Sequence, residues 1–208
     1  MTEGAVPRSM EATTPYAAAR VERRRLARPS GWWGIAVFIA SEATLFGTLF
    51  GSYFYLRFRA VHWPPPGIEP PPITLPLVLA GVLVATSVPM QLALAAARGA
   101  RLGAARAALL LALVVQAGYF GMQMHLYVHD LHKVSPQESA YGSIYFVLLG
   151  AHHTHVALGL LLSVWLLLRL AGGITNYRLI ALNAVVFYWH FVNVLALLVV
   201  GAQLSANV

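Results

Sequence analysis

The chain of 208 residues contains no cysteine and few charged side chains. The lack of cysteine excludes disulfides, thiolate metal sites and Cys-x-x-Cys redox centres. Charged residues make up 10% of the sequence, compared with roughly 25% in an ordinary soluble domain. Hydrophobic residues make up 59%. Such a composition is typical of an integral membrane protein and leaves no room for a separate soluble domain.

Five long apolar runs account for this composition. They cover residues 32–56, 75–97, 107–128, 143–168 and 179–202. About 20 mostly apolar residues cross the hydrocarbon core as a helix, because the bilayer offers no other partner for backbone amides and carbonyls. The period-two alternation of a β-barrel does not occur in these runs. The sequence therefore predicts an all-α membrane domain in residues 31–208, built as a bundle of five transmembrane helices.

The basic residues predict how the bundle is oriented. Eleven of the fourteen lie in the N-terminal segment and in the loops after the second and fourth runs. The side of a membrane protein that is richer in Lys and Arg faces the cytoplasm. We therefore expect the N-terminus to be cytoplasmic and the C-terminus to be outside.

Residues 1–30 are polar and rich in Ala and Arg, and we expect them to form a disordered cytoplasmic tail. Within this tail, Arg23, Arg24 and Arg25 form a basic cluster. An anionic lipid surface attracts such a cluster by about 1 kcal/mol per basic residue. Because the basic residues flank the apolar runs and form no domain of their own, we expect phospholipids, and no nucleic acid, as their partners.

Proline marks two places in the chain. Six prolines lie between Pro64 and Pro72, and they predict a stiff, extended strap between the first two helices. Pro89 lies inside the second apolar run. Proline lacks a backbone N–H and clashes with the preceding turn, so a kink is predicted there.

A few ionisable and polar side chains lie deep in the predicted spans. Glu42 is the only one of the seven acidic residues inside a span, where a carboxylate costs about 2.5–3.5 kcal/mol unless it pairs or is protonated. A rise of about 1.5 Å per residue places Glu42, His152, His155 and His190 near mid-depth. With Asn193 they are predicted to form one buried polar cluster. Four further residues are candidates to extend it: Ser41, Thr44, Gln116 and Gln123.

Several functions are compatible with this cluster. Its hydrogen bonds would contribute about 0.6–2 kcal/mol each to helix association, or its ionisable groups would handle protons. The run His-His-Thr-His at 152–155 resembles a histidine box, but one box with one carboxylate supplies too few ligands for a metal centre. Two histidines on facing helices remain able to ligate haem. A membrane carrier would need an inverted repeat of its spans, and the five runs show none. We assign no catalytic, cofactor-binding or metal-binding residue.

Five segments of the sequence match a known family in order and spacing. They are Ser-Glu followed by Leu-Phe within 41–46, Trp-Pro-Pro-Pro-Gly at 63–67, Tyr-Gly-Ser-Ile-Tyr-Phe at 141–146, Gly-Ala-His-His-Thr-His-Val at 150–156 and Tyr-Trp-His-Phe-Val at 188–192. In these motifs the chain resembles subunit III of haem-copper terminal oxidases, in the five-helix form of some bacterial enzymes.

This resemblance implies a non-catalytic subunit that holds no haem and no copper. Those cofactors are expected in partner subunits, and oxidase subunits I and II are the implied partners. The complex reduces oxygen to water and pumps protons. The family is credited with stabilising the catalytic subunit during turnover, holding lipid in a cleft, and aiding proton or oxygen access. The implied location is a bacterial plasma membrane, with the chain as a multi-pass protein.

The resemblance also extends to single residues. Glu42 falls on the membrane carboxylate of the family, and His152, His155 and His190 fall on its buried histidines. Asn193 stands where many members have Asp, which favours a structural and lipid-binding role over a proton relay. The alternatives are the corresponding subunit of a quinol oxidase, a homologue that accompanies nitric oxide reductase, or an autonomous histidine-ligated membrane enzyme.

Overall fold

The computed structural model describes residues 30–69 and 72–206. These residues form six helices: α1 (Ser30–Arg59), α2 (Thr74–Ala85), α3 (Ser87–Arg98), α4 (Leu102–Leu131), α5 (Ala140–Leu170) and α6 (Asn176–Ser205). Helices α2 and α3 together make one apolar span, Thr74–Arg98. The prediction of an all-α chain with five membrane-length helices is therefore confirmed.

Side-chain hydroxyls cap the first turns of α5 and α6, and both helices begin a few residues before their apolar runs. Ser139 Oγ accepts a hydrogen bond of 3.0 Å from the Gly142 amide at the start of α5. Thr175 Oγ1 accepts one of 3.3 Å from the Arg178 amide at the start of α6. These hydroxyls satisfy amides that have no partner within the first turn of a helix. These two caps mark where α5 and α6 begin.

The second span is interrupted at Thr86, one turn before Pro89. Proline has no N–H to bond the carbonyl four residues earlier, which here belongs to Ala85, the last residue of α2. The Thr86 hydroxyl donates a hydrogen bond of 2.6 Å to the Leu83 carbonyl and closes the turn. Helical bonding resumes with the Met90 amide, 3.2 Å from the Thr86 carbonyl. The expected disturbance is thus a break between two helices.

Helix α6 lies at the centre of the bundle and contacts α1, α2, α3 and α5. Helix α4 contacts α2, α3 and α5, whereas α1 contacts only α5 and α6 within the described residues. Helices α5 and α6 pack against each other at Gly159, where a Cβ would lie 2.8 Å from the Trp189 ring. A glycine lets a large ring lie against the facing backbone, as in many membrane helix pairs. Gly159 thus leaves the space that the Trp189 ring occupies.

The proline-rich loop packs against the ends of α1 and α5. The Trp63 ring lies edge-on to Tyr53, with 5.5 Å between the centroids, and to Tyr141, at 5.0 Å. The Trp63 indole N–H donates to the Tyr53 hydroxyl at 3.2 Å. This aromatic group holds the loop on the end of the bundle.

Candidate functional site, a polar layer at mid-depth

Every span carries a polar side chain at or near its centre. Thr86 is the middle residue of the second span and His155 is the middle residue of α5. Gln116 and His190 stand at the centres of α4 and α6, and Glu42 lies just before the centre of α1. We call these five residues and their hydrogen-bond partners the polar layer. It crosses the bundle at the depth where hydrocarbon is least tolerant of unpaired polar groups.

An acid and a histidine pair between α1 and α5. Glu42 Oε2 lies 2.8 Å from His155 Nε2, and the exposed fractions of the two side chains are 19% and 10%. His155 Nδ1 lies 2.8 Å from the Ala151 carbonyl oxygen. Both nitrogens of the imidazole are thus held by oxygen atoms, which fixes the orientation of the ring.

The two contacts of His155 define where protons reside. A carbonyl oxygen only accepts, so His155 Nδ1 carries a hydrogen and donates it to Ala151. A second proton must then lie between His155 Nε2 and Glu42, either on the carboxyl or on the imidazole. In both arrangements the pair as a whole is neutral. A neutral, hydrogen-bonded pair avoids most of the cost of a lone carboxylate in the bilayer.

Aromatic residues enclose this pair. The Phe46 ring lies edge-on to the His155 ring, with 5.1 Å between the centroids, and Phe46 is almost fully buried. From α6, the Tyr188 hydroxyl donates a hydrogen bond of 2.9 Å to the His155 carbonyl. Helices α1, α5 and α6 therefore meet at His155.

His152, three residues before His155 on α5, is directed toward α4. Its Nε2 lies 3.1 Å from the Tyr119 hydroxyl on α4, and the Gln123 amide donates to the same hydroxyl at 3.4 Å. Because the Tyr119 hydroxyl accepts from Gln123, its own hydrogen is free to be donated to His152 Nε2. His152 is 2% exposed. This group joins α4 to α5 and has no hydrogen bond to Glu42.

Three further contacts extend the layer to α2, α3 and α6. The Gln116 amide donates to Thr86 Oγ1 at 3.1 Å. The Asn193 amide donates to Ser87 Oγ at 2.8 Å. His190 Nε2 lies 2.6 Å from Gln91 Nε2. The break thus places the hydroxyls of Thr86 and Ser87 next to each other, so that Gln116 on α4 bonds the first and Asn193 on α6 bonds the second.

The structure brings together only part of the predicted cluster. Glu42 meets His155, whereas His152, His190 and Asn193 are hydrogen-bonded to residues on other helices. Ser41 and Thr44, which were candidates to extend the cluster, donate instead to carbonyls of α1 itself. The acid and the histidines therefore form a layer of separate pairs, because each helix turns its polar residue toward a different neighbour.

Sequence reasoning missed Tyr119, Ser87 and Gln91. The second and third apolar runs consist mostly of Ala, Leu and Val, yet they supply several residues of the polar layer. A glutamine in the second apolar run was a usable signal, because an amide at that depth needs a partner. His153, which had no predicted role, is buried with its ring edge-on to Tyr127 at 5.3 Å between centroids.

Some capacity for hydrogen bonding remains inside the layer. Gln116 Oε1, His152 Nδ1 and Asn193 Oδ1 are buried and have no partner among the residues that the structure describes. Buried atoms of this kind commonly bind internal water. In residues 30–69 and 72–206, no three His, Asp or Glu side chains converge as a metal site would require. The basic cluster Arg23, Arg24 and Arg25 lies outside the described residues.

Comparison with known proteins agrees with this architecture. The family model described as cytochrome c oxidase subunit III matches residues 25–201. The probable cytochrome c oxidase subunit 3 of Nocardia farcinica is 34% identical over 166 residues, which cover 77% of this chain and 80% of that protein.

Two other relatives differ in name or in length. A quinol oxidase subunit 3 of Bacillus spizizenii is 30% identical over 169 residues, covering 79% of each chain. Mouse cytochrome c oxidase subunit 3 is 30% identical over 169 residues, covering 78% of this chain but 64% of the mouse protein. With most of its residues matched by one family model, the chain belongs to the cytochrome c oxidase subunit III family.

Proposed function

We propose that this chain is the non-catalytic, cofactor-free subunit of a respiratory haem-copper oxidase, and that it stabilises the catalytic subunit while the complex reduces oxygen to water. Family membership makes it subunit III of a cytochrome c or quinol oxidase. The observation that carries the finer proposal is the hydrogen bond between Glu42 and His155, through which the only mid-depth carboxylate of the described residues holds α1 to α5.

The histidines support the cofactor-free part of the proposal. His155, His152 and His190 each have a hydrogen-bond partner within the chain, and the three partners lie on three different helices. Haem ligation by two of them would need their rings to face each other across an open space. Their present contacts point the rings to different neighbours. Haem and copper accordingly belong to the proposed partners, subunits I and II.

The charge distribution supports the proposed orientation, with the N-terminus in the cytoplasm and the chain in a bacterial plasma membrane. Apart from Glu42, the described carboxylates all lie at the other end of the bundle, in Glu69, Asp130 and Glu138. The proposed cytoplasmic end carries only arginines in the described loops and helix ends, and these suit the headgroups of anionic phospholipids.

Orientation can be tested cleanly because the chain has no cysteine. Glu138→Cys places a thiol at the proposed outer end, and Gly103→Cys places one at the inner end, where a new side chain meets no atom within 4 Å. A membrane-impermeant maleimide added to intact cells should label only Glu138→Cys. Labelling of Gly103→Cys alone would reverse the orientation.

Purification from native membranes tests the assignment as a whole. The chain should copurify with a polytopic subunit that shows haem absorption, and the complex should consume oxygen. Oxygen uptake with reduced cytochrome c, compared with uptake with quinol, identifies the electron donor. Recovery of a lone chain that contains stoichiometric iron or copper and has its own turnover would contradict the proposal and favour an autonomous membrane enzyme.

The role of Glu42 in turnover has its own test. In Glu42→Gln, the new amide can donate to His155 Nε2, so assembly should be retained while the acidic proton is lost. We expect normal subunit yield and a faster loss of oxidase activity during sustained turnover. Ser41→Ala, which removes an exposed hydroxyl from the neighbouring position, is the matched control. Equal inactivation rates in both variants would leave Glu42 with a structural role only.

A further inference from the structure

An open groove runs along the bundle between α1 and α3, with α6 as its floor. Both helices contact α6, but they make no contact with each other within the described residues. Toward one end the groove deepens into a cavity of about 190 Å³. Ile35 on α1, Leu94 on α3 and Phe187 on α6 line this cavity. The groove therefore offers an apolar surface on three helices.

Helices α3 and α6 run side by side along this groove, and three side-chain pairs mark their register. Arg98 donates to Asn183 Oδ1 at 3.4 Å, Gln91 meets His190 at 2.6 Å, and Asn193 bonds Ser87 at 2.8 Å. Residues three or four apart share one face of a helix. Gln91 and Leu94 therefore share a face of α3, and His190 and Phe187 share a face of α6.

The Gln91–His190 pair is open to the outside of the bundle. Gln91 is exposed and His190 is partly exposed, at the centre of α6. When the Gln91 amide donates to His190 Nε2, the imidazole keeps its hydrogen on Nδ1. Gln91 Oε1 and His190 Nδ1 then have no partner among the described residues. The pair thus presents one acceptor and one donor to whatever covers the groove.

A fatty acyl chain cannot satisfy these two atoms, because it neither donates nor accepts a hydrogen bond. Polar side chains at this depth of a membrane protein face other protein rather than lipid. Hydrogen bonds between membrane helices meet this need, and amides and hydroxyls are their usual sources. The chemistry at the centre of the groove therefore calls for a polar side chain carried by a helix.

We propose that a transmembrane helix of a partner oxidase subunit docks in this groove and places an amide or hydroxyl side chain against Gln91 and His190. The proposal rests on the proposed function, which supplies the partner subunit. The apolar residues of the groove contact the remainder of that helix. Phe187 and Val194, exposed by 42% and 55%, lie one turn to either side of His190.

Photocrosslinking from the purified native complex tests the docking site. A photoreactive residue at Val194 should form an adduct with a partner polypeptide. The matched control is Val114 on α4, which is 61% exposed and whose helix contacts neither α1 nor α6. We expect about tenfold more partner adduct from position 194 than from position 114. Adducts of position 194 with lipid only or with a second copy of this chain, or equal yields, would overturn the proposal.

A substitution provides a second readout. Gln91→Leu removes the acceptor, and the variant should still fold, since within the described residues the exposed Gln91 side chain bonds only His190. We expect this variant to dissociate from the complex in detergent about tenfold faster than the wild type, whereas Leu92→Ala, at an exposed neighbouring position, should not. Unchanged dissociation of Gln91→Leu would contradict the docking site.

The two proposals fail in different ways. If the wild-type chain does not copurify with a haem-bearing subunit, the proposed function falls, and the docking site falls with it. If the chain copurifies but position 194 gives no adduct with that subunit, only the docking site falls.

Discussion

The first and last helices of this protein are held in opposite ways. In the most apolar stretch of α6, 56% of the residues are buried, compared with 6% in the corresponding stretch of α1. Helix α6 is surrounded by four other helices, whereas α1 lies on one side of α5 and α6. The comparison shows that a helix can belong to a membrane bundle by wide apolar packing or by a few well-placed contacts.

The contacts of α1 occur at two depths. At mid-depth, Glu42 bonds His155 at 2.8 Å. Near the outer end, the Tyr53 hydroxyl donates to the Ala202 carbonyl on α6 at 2.8 Å and accepts from the Trp63 indole. Phe46 packs between these two points. Because lipid is as apolar as the helix surface, such polar contacts give α1 its position where apolar burial does not.

The largest loss is expected from the centre of α6. Trp189→Ala removes a fully buried ring that packs on Gly159 and donates to Ser163 Oγ at 2.9 Å. A cavity of this size typically costs about 3–5 kcal/mol. The free energy of unfolding of the purified subunit, measured by denaturant titration in detergent, should fall by that amount. Leu161→Ala, at a site that is 67% exposed, should change it by less than about 0.5 kcal/mol.

A smaller loss is expected where α1 meets α5. Glu42→Leu leaves His155 Nε2 without its partner, at a cost of about 1–3 kcal/mol. Glu42→Gln keeps a hydrogen bond and should cost less. The same denaturant titration ranks the two variants. If Glu42→Leu were as stable as the wild type, packing rather than the polar pair would hold α1.

The outer contact of α1 should matter less again. Tyr53→Phe keeps the ring but removes the bond to the Ala202 carbonyl and the acceptor for Trp63. A typical hydrogen bond contributes about 0.5–1.5 kcal/mol. Limited proteolysis of the loop that contains Trp63 should be faster in this variant, since its anchor is weakened. An unchanged cleavage rate would show that the edge-on ring contacts alone secure the loop.

The smallest effect is expected on the open face of α1. Ser41→Ala removes a hydroxyl that donates only to the Phe38 carbonyl of the same helix, at 2.7 Å. Exposed substitutions of this kind usually change stability by less than about 0.5 kcal/mol. The thermal midpoint of the purified subunit should therefore stay within a degree or two of the wild type. A clear drop would mean that the Ser41–Phe38 hydrogen bond stabilises α1 itself.

Several features could be predicted from residues alone. Run lengths set the five spans, and the lone acidic residue in a span indicated that Glu42 needs a partner. Pro89 marked the disturbed second span. The pairings could not be predicted in the same way: His152 and His155 are three residues apart on one helix, yet one bonds Tyr119 and the other bonds Glu42. Sequence spacing does not say which neighbouring helix each ring will face.

The depth of the polar residues follows from the sequence by itself, since a fixed rise per residue and a fixed bilayer thickness place Glu42, His155 and His190 near the centre of their spans. Their partners were decided only by the tertiary structure. The rotation of each helix about its own axis is fixed by how its bulky and small residues pack, as Trp189 packs against Gly159. That rotation depends on packing between distant segments, so it set which polar groups meet inside the bundle and which remain open in the groove.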